Sequence, residues 1–222
     1  MIMNVQIDKE VFATEKVRIL TPSTYVLRFS RNEMKFTPGQ HLVLGLPGSD
    51  DLREYSIYSG INDPYLEVLI KEVDEGMVSK QLKNIKTGDL VEVKGPYGFF
   101  MANSRTHGSR QLLFIASGTG IAPFHSFVKS HPDADYRLIH GVRTIEEAYD
   151  AKDYDPEKLF VSTSRDSSGS FAGRLTEYLK QTELDPDWMV YLCGNSQMIY
   201  DAMEILQQRG VPQRHIFTEV YF

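Results

Sequence analysis

Cysteine is nearly absent: Cys193 is the only one in 222 residues. A single thiol excludes a disulfide framework and any cysteine-ligated zinc or iron–sulfur centre, since each needs several thiolates. A basic excess is also missing, because 24 Lys and Arg face 30 Asp and Glu, for a formal net charge of −6. A general nucleic-acid binder needs the reverse balance to neutralise phosphates. No apolar run approaches the ~20 residues of a membrane-spanning helix. Met1–Asp8 has neither a basic segment nor an apolar core, so a cytoplasmic protein is expected, with no membrane or nucleic-acid partner. Internal repeats and low-complexity tracts are lacking too. The six histidines (41, 107, 125, 131, 140 and 215) have no metal-ligand spacing, and no metal site is assigned.

What is there has the balance of a globular protein, 41% apolar and 24% charged residues. The length suits one large domain or two small ones. Charge divides unevenly near residue 105: 13 basic and 14 acidic residues up to Arg105, then 11 and 16. Much of the later excess lies between Glu146 and Glu157 and reads as a solvated helix and loop.

The rhythm of the sequence changes at the same place. Tyr25, Leu27 and Phe29 alternate along one strand face. Runs of strand length follow at 41–46, 54–59, 65–73 and 89–94, separated by turn formers such as Thr37-Pro-Gly39 and Thr87-Gly-Asp89. One helix, about 77–84, interrupts them. Strands at this spacing predict a small antiparallel barrel or sandwich. Beyond residue 105, strands at 111–117, 136–142, 159–163, 189–193 and 216–221 alternate with helices at 122–130, 145–151, 173–181 and 197–209. Five strands with four intervening helices predict a doubly wound α/β parallel sheet, with ligands at the carboxyl ends of its strands. The expected domains are therefore 1–104 and 105–222.

Two segments carry candidate chemistry. Ala116-Ser-Gly-Thr-Gly-Ile-Ala-Pro123 offers Gly118 and Gly120 for close backbone approach and then a helix start that can face phosphate. Pro123 stands where a dinucleotide fingerprint has its third glycine, and no Walker lysine follows. Alone, the segment fits a plain tight turn equally well. Arg53-Glu-Tyr-Ser56 alternates Arg53 and Tyr55 against Glu54 and Ser56. It suits either a phosphate paired to Arg53 beside a ring stacked on Tyr55, or an ordinary half-exposed strand.

Taken in order, further segments join these two. Leu69-Ile-Lys71, Gly76-Met-Val-Ser79, Gly95-Pro-Tyr-Gly98, Gly118-Thr-Gly-Ile-Ala-Pro123, Cys193-Gly-Asn195 and Glu219-Val-Tyr221 follow Arg53-x-Tyr55-Ser56. The series resembles the ferredoxin–NADP reductase family, in compact bacterial members without an iron–sulfur domain. The resemblance covers nearly the whole chain and implies an antiparallel flavin-binding barrel followed by a nucleotide-binding parallel sheet. It implies FAD, with FMN the lesser alternative, and NADP(H) as cosubstrate.

The resemblance also distributes roles. Tyr55 would stack on the flavin ring and Arg53 would neutralise pyrophosphate, with Glu54 beside them. Ser56 would hydrogen-bond the flavin atom that receives hydride. Leu69, Ile70 and Lys71 would run along the flavin. Gly76, Met77, Val78 and Ser79 would hold its phosphate at a helix start. Thr119 would lie between flavin and nucleotide, next to Gly120. Cys193 and Gly194 would pack beneath the nicotinamide. Ser56, Cys193, Glu219 and Tyr221 form the implied catalytic group, and Tyr221 or Phe222 would cover the second flavin face. Ser164 and Arg165 would read the nucleotide 2′-phosphate, with Arg143 and Arg174 as additional contacts; Asp166 is the neighbouring acid that an NAD-selective site would offer to ribose. Met101–Arg110 has no aromatic to hold an extended adenine, which favours a bent FAD. The implied activity is electron exchange between NADPH and a separate one-electron carrier, ferredoxin or flavodoxin. The alternatives are an NAD(P)H:flavin or small-molecule reductase, or a non-catalytic flavin electron-transfer subunit.

Overall fold

A computed structural model describes residues 10–100 and 110–221. The domain boundary expected at 104/105, the stretch at 101–109 and Phe222 lie outside these residues.

Six antiparallel strands build the first half: β1 (Glu10–Thr21), β2 (Thr24–Ser30), β3 (His41–Gly45), β4 (Arg53–Ser56), β5 (Tyr65–Lys71) and β6 (Leu90–Tyr97). Their order is β4-β3-β6-β1-β2-β5. A bridge between Ile57 and Val68 ties the end of β4 to β5 and closes the ring into a barrel. Alternation fills it: Tyr25, Leu27 and Phe29 point inward to meet Phe12, Leu42, Leu44, Leu66, Val91 and Val93. Helix α1 (Met77–Lys83) lays Val78 and Leu82 on this core. Strand β1 has no clean alternation in sequence. Its register against β2 shifts between Thr14 and Lys16, and such a bulge moves later side chains out of phase.

The second half is a parallel sheet of β7 (Leu112–Ser117), β8 (Tyr136–Val142), β9 (Leu159–Thr163), β10 (Phe171–Ala172), β11 (Met189–Asn195) and β12 (Ile216–Tyr221). The order is β10-β9-β8-β7-β11-β12. Five strands were expected; the sixth, β10, is a two-residue edge strand beside β9, too short to show a period. Helix α2 (Ala122–Ser130) covers one face through Phe124 and Phe127, which meet Phe114 and Tyr191. Helices α3 (Leu175–Gln181) and α4 (Ser196–Gln208) cover the other through Leu175, Leu179, Ile199 and Leu206. Chain order reverses at β7, whose neighbours are β8 and β11. A crevice therefore opens between the loops after β7 and β11, the place where open α/β sheets take ligands.

The helix expected at 145–151 is absent. Two 3₁₀ turns, Ile145–Glu147 and Ala151–Asp153, stand there, separated by Asp150 in the left-handed region at φ 48°. The acidic stretch is also not simply solvated. Arg18 donates to both oxygens of Asp150 at 2.7 Å, and the Tyr58 hydroxyl donates to Asp150 at 3.0 Å. Asp153 pairs with His125 at 3.1 Å, and Glu147 is buried. His125 stacks on Tyr58 with ring centroids 3.7 Å apart. The contacts of Asp150 with Arg18 and Tyr58, and the stacking of Tyr58 on His125, run from barrel to sheet and fix one half against the other. Ser126, which donates to the Ser59 carbonyl at 2.7 Å, and Tyr149, 3.1 Å from Thr24, add to them.

Candidate functional site

Strand β4 carries Arg53, Glu54, Tyr55 and Ser56. Burial deepens along the strand rather than alternating: Arg53 and Glu54 are exposed, Tyr55 is half-buried and Ser56 is buried. The Arg53 guanidinium donates to the adjacent Leu52 carbonyl at 2.8 Å and otherwise faces outward. Burial pushes the Tyr55 phenol up to about 12, so it stays neutral. Tyr25 joins this strand to α1: its phenol lies near Tyr55 and donates to the Ser79 carbonyl at 2.5 Å. Gly76, Met77, Val78 and Ser79 open α1, whose first turn has no acidic residue. The Ser79 hydroxyl accepts the Val73 amide at 3.2 Å, so it shapes the turn before the helix as well as facing its start. On β5, Leu69 and Ile70 are buried and Lys71 is exposed.

At the switch point the sheet supplies the other wall. Gly118–Ile121 forms a 3₁₀ turn after β7, with Thr119 half-buried. Gly118 has φ 53°, and a side chain there would point into open space. Gly120 is the opposite case, since a Cβ would come 2.3 Å from the Cys193 carbonyl oxygen. Only glycine lets the turn touch the end of β11 here. The contact is reinforced where the Ser117 hydroxyl accepts the Asn195 amide at 3.0 Å. His140 anchors the turn from below. Burial lowers its pKa to about 4, so the ring is neutral, and its Nε2–H donates to the Gly118 carbonyl at 2.8 Å. No spacing in the sequence marked His140, although its place on β8 in phase with buried Leu138 signals an inward side chain.

The parallel register then sets Cys193 beside Glu219, and Asn195 beside Tyr221. Across the domain boundary, the Ser56 hydroxyl donates to Glu219 Oε2 at 3.1 Å, and Cys193 Sγ lies 3.9 Å from the same oxygen. Three residues separated by as many as 163 positions in sequence meet here. Burial pushes the Glu219 carboxyl up to about 7, with exposed Glu54 adding to the shift and the Ser56 bond opposing it. Burial likewise raises the Cys193 thiol, which is no thiolate at neutral pH. The Tyr221 hydroxyl is buried next to Ser56 and Cys193.

Arg143, Ser164, Arg165 and Arg174 gather at the ends of β8, β9 and β10. The amide of Arg165 donates to the Arg143 carbonyl at 2.8 Å, and that of Ser164 to Val142 at 3.0 Å. Ser164, Arg165 and Arg174 are exposed. Arg143 is different, for its guanidinium is held by Glu147. The Asp166 carboxylate accepts the amides of Ile145 at 2.9 Å and Ser168 at 3.0 Å.

Comparison with known proteins matches this geometry. Residues 10–101 match the family model for the oxidoreductase FAD-binding domain, and residues 114–204 that for the oxidoreductase NAD-binding domain. Ferredoxin–NADP reductase B of Sorangium cellulosum is 30% identical, over 92% of this chain and 94% of its own length. The chain belongs to the ferredoxin–NADP reductase family. The toluate 1,2-dioxygenase electron transfer component of Pseudomonas putida is 29% identical over 94% of this chain, which spans 66% of that relative. A ferredoxin NADP+ reductase structure from Neisseria gonorrhoeae with bound FAD and NADP has the same fold, at a TM-score of 0.85 and 24% identity, covering 96% of this reductase and 98% of that chain. The barrel of this reductase is thus its FAD-binding part and the sheet its nicotinamide-nucleotide part.

Proposed function

We propose that this reductase exchanges electrons between NADPH and a separate one-electron carrier protein, ferredoxin or flavodoxin, with the flavin part spanning residues 1–104 and the nucleotide part 105–222. One observation carries the reading: Ser56 of the barrel and Cys193 of the sheet converge on one carboxylate oxygen of Glu219. FAD, when bound, supplies a hydride acceptor that can return its two electrons one at a time.

The donor set fits that group. Tyr55 offers a half-buried ring face, Arg53 an outward guanidinium, and the first turn of α1 its amides without a competing acid. FMN would use the same ring and first-phosphate contacts. Thr119 and the open side of Gly118 face the crevice in which nicotinamide would lie, above Cys193 and Gly194. Ser56 would hold the flavin edge. Glu219, poised near neutral pH, exchanges its proton with solvent while the Ser56 hydroxyl bonds to it. The uncharged Cys193 packs without a thiolate that would repel electron density.

Preference for NADPH rests on the rim. Arg165 is exposed at the end of β9, and the acid beside it, Asp166, already accepts two amides. A 2′-phosphate finds exposed guanidinium groups there, beside a carboxylate already engaged by two backbone amides. The test is to purify the protein, identify its bound flavin by mass, and measure anaerobic flavin reduction by NADPH and NADH. Turnover with ferredoxin, flavodoxin and free FMN as acceptors follows. FAD, faster reduction by NADPH and rapid turnover with a carrier protein support the proposal. Rapid turnover with free flavin alone, or none without a copurifying partner, overturns it.

A further inference from the structure

Arg143 differs from its neighbours on the rim because an internal anion already holds it. Its Nε donates to Glu147 Oε1 at 2.9 Å and Oε2 at 3.2 Å, and Nη2 pairs with Oε1 as well. The Arg143 amide donates to Glu147 Oε2 at 3.1 Å. The Nε/Nη2 edge is the planar fork with which arginine takes a phosphate bidentately. Here a carboxylate occupies that edge. Glu147 is set firmly in place: its side chain is 10% exposed, against 43% for Arg143, and it closes the 3₁₀ turn after β8. Burial opposes its ionisation, but the bonds from Arg143 outweigh that and hold the carboxyl below the usual range, with Lys71 adding to the effect. The negative charge is permanent near neutral pH. It lies one guanidinium away from a rim where Arg143 and Arg165 are joined through their backbones.

We propose that Glu147 is a specificity-determining residue that restrains NADPH preference, by occupying the phosphate-binding fork of Arg143 and setting a fixed negative charge beside the 2′-phosphate position. This rests on the reading that Arg143 contributes to 2′-phosphate binding. A bound 2′-phosphate must share Arg143 with Glu147 or displace it, and in both cases meets a like charge. A nucleotide without the phosphate meets neither obstacle, so the residue narrows the gap between NADPH and NADH.

The experiment uses the flavin-loaded protein with Glu147→Gln, Arg143→Ala and the double variant. Gln keeps an oxygen for the Arg143 amide while removing the charge. Adenosine 2′,5′-bisphosphate is the probe and 5′-AMP the control, both by calorimetric titration, with KM for NADPH and NADH alongside. Glu147→Gln should tighten adenosine 2′,5′-bisphosphate about two- to fivefold, the scale of a partly exposed charge pair. It should lower KM for NADPH and leave 5′-AMP and NADH unchanged. A loss of structure would move all four together. In the double variant the part of the gain that comes from freeing Arg143 should vanish. Unchanged or weaker binding in Glu147→Gln, while Arg143→Ala still weakens the probe, overturns the role of Glu147 alone. An Arg143→Ala variant that binds the probe like wild type removes the reading beneath it. Should Glu147→Gln lose flavin, Glu147→Asp, which withdraws the charge by one methylene, must shift the probe in the same direction.

Discussion

Replacing Glu219 by Gln removes the carboxyl that, among the described residues, the fold holds most strongly in its acid form. Its pKa lies at about 7 in the native protein, against an ordinary 4.5. At ~1.4 kcal/mol per unit, the native state binds that proton more tightly than the unfolded chain by roughly 3 kcal/mol. The sign follows from the direction of the shift. A raised carboxyl contributes stability that is fully present below the unfolded value and lost as pH rises through the folded one. Between about pH 4.5 and 7 the wild type should therefore lose roughly 3 kcal/mol from this group, and the Gln variant should not. For a chain of this size that corresponds to a Tm difference that widens by ~6–12 °C across the window. Thermal unfolding of the flavin-saturated proteins at half-unit pH steps measures it. Ser56 keeps an oxygen to bond in the variant, so the hydrogen bond itself is conserved. Parallel curves for the two proteins would mean that Glu219 is solvated like a surface carboxylate, and its proposed proton exchange near neutral pH would fall with it.

Gly120→Ala puts a Cβ against the Cys193 carbonyl, where backbone cannot give way; nucleotide binding should weaken at least tenfold, with flavin retained, as read by titrating NADP+ against the flavin band. Arg18→Met leaves the buried Asp150 carboxylate without its bidentate partner and should cost ~1–3 kcal/mol in urea unfolding; adding Asp150→Asn should restore most of it. Arg165→Ala should raise KM for NADPH about 10–100-fold and leave NADH nearly unchanged, whereas equal losses with both coenzymes would assign Arg165 to the fold.

The elements whose signal is local were legible in the sequence. Tyr25, Leu27 and Phe29 alternate, the run at 112–116 is buried on both sheet faces, and Ile199, Met203 and Leu206 mark a helical stripe. Gly118 and Gly120 after β7 were legible as loop residues, but their interlock with the end of β11 was not, because the contact between Gly120 and Cys193 joins segments more than 70 residues apart. The same limit hid β1, whose bulge breaks the period, and the 145–151 region. There the local helical pattern loses to Asp150, held in a left-handed conformation beside Arg18 from the barrel. Arg143 showed a similar divide. Its place after a strand was evident, but nothing local distinguishes an arginine facing ligand from one already paired with the acid four residues on.

The distance in sequence between Ser56 and Glu219 bears on how the molecule gains activity as it folds. Ring-closing contacts within the barrel and hydrogen bonds within the sheet link nearer neighbours, and each half can reach them by itself. The hydrogen bond between Ser56 and Glu219 forms only after both halves are complete and docked. Contacts of such high order come late, because the chain entropy they cost is repaid only when much else is in place. During refolding from denaturant, secondary structure should return first and flavin fluorescence quenching next. Reduction by NADPH should come last, making turnover a stricter gauge of the native state than colour.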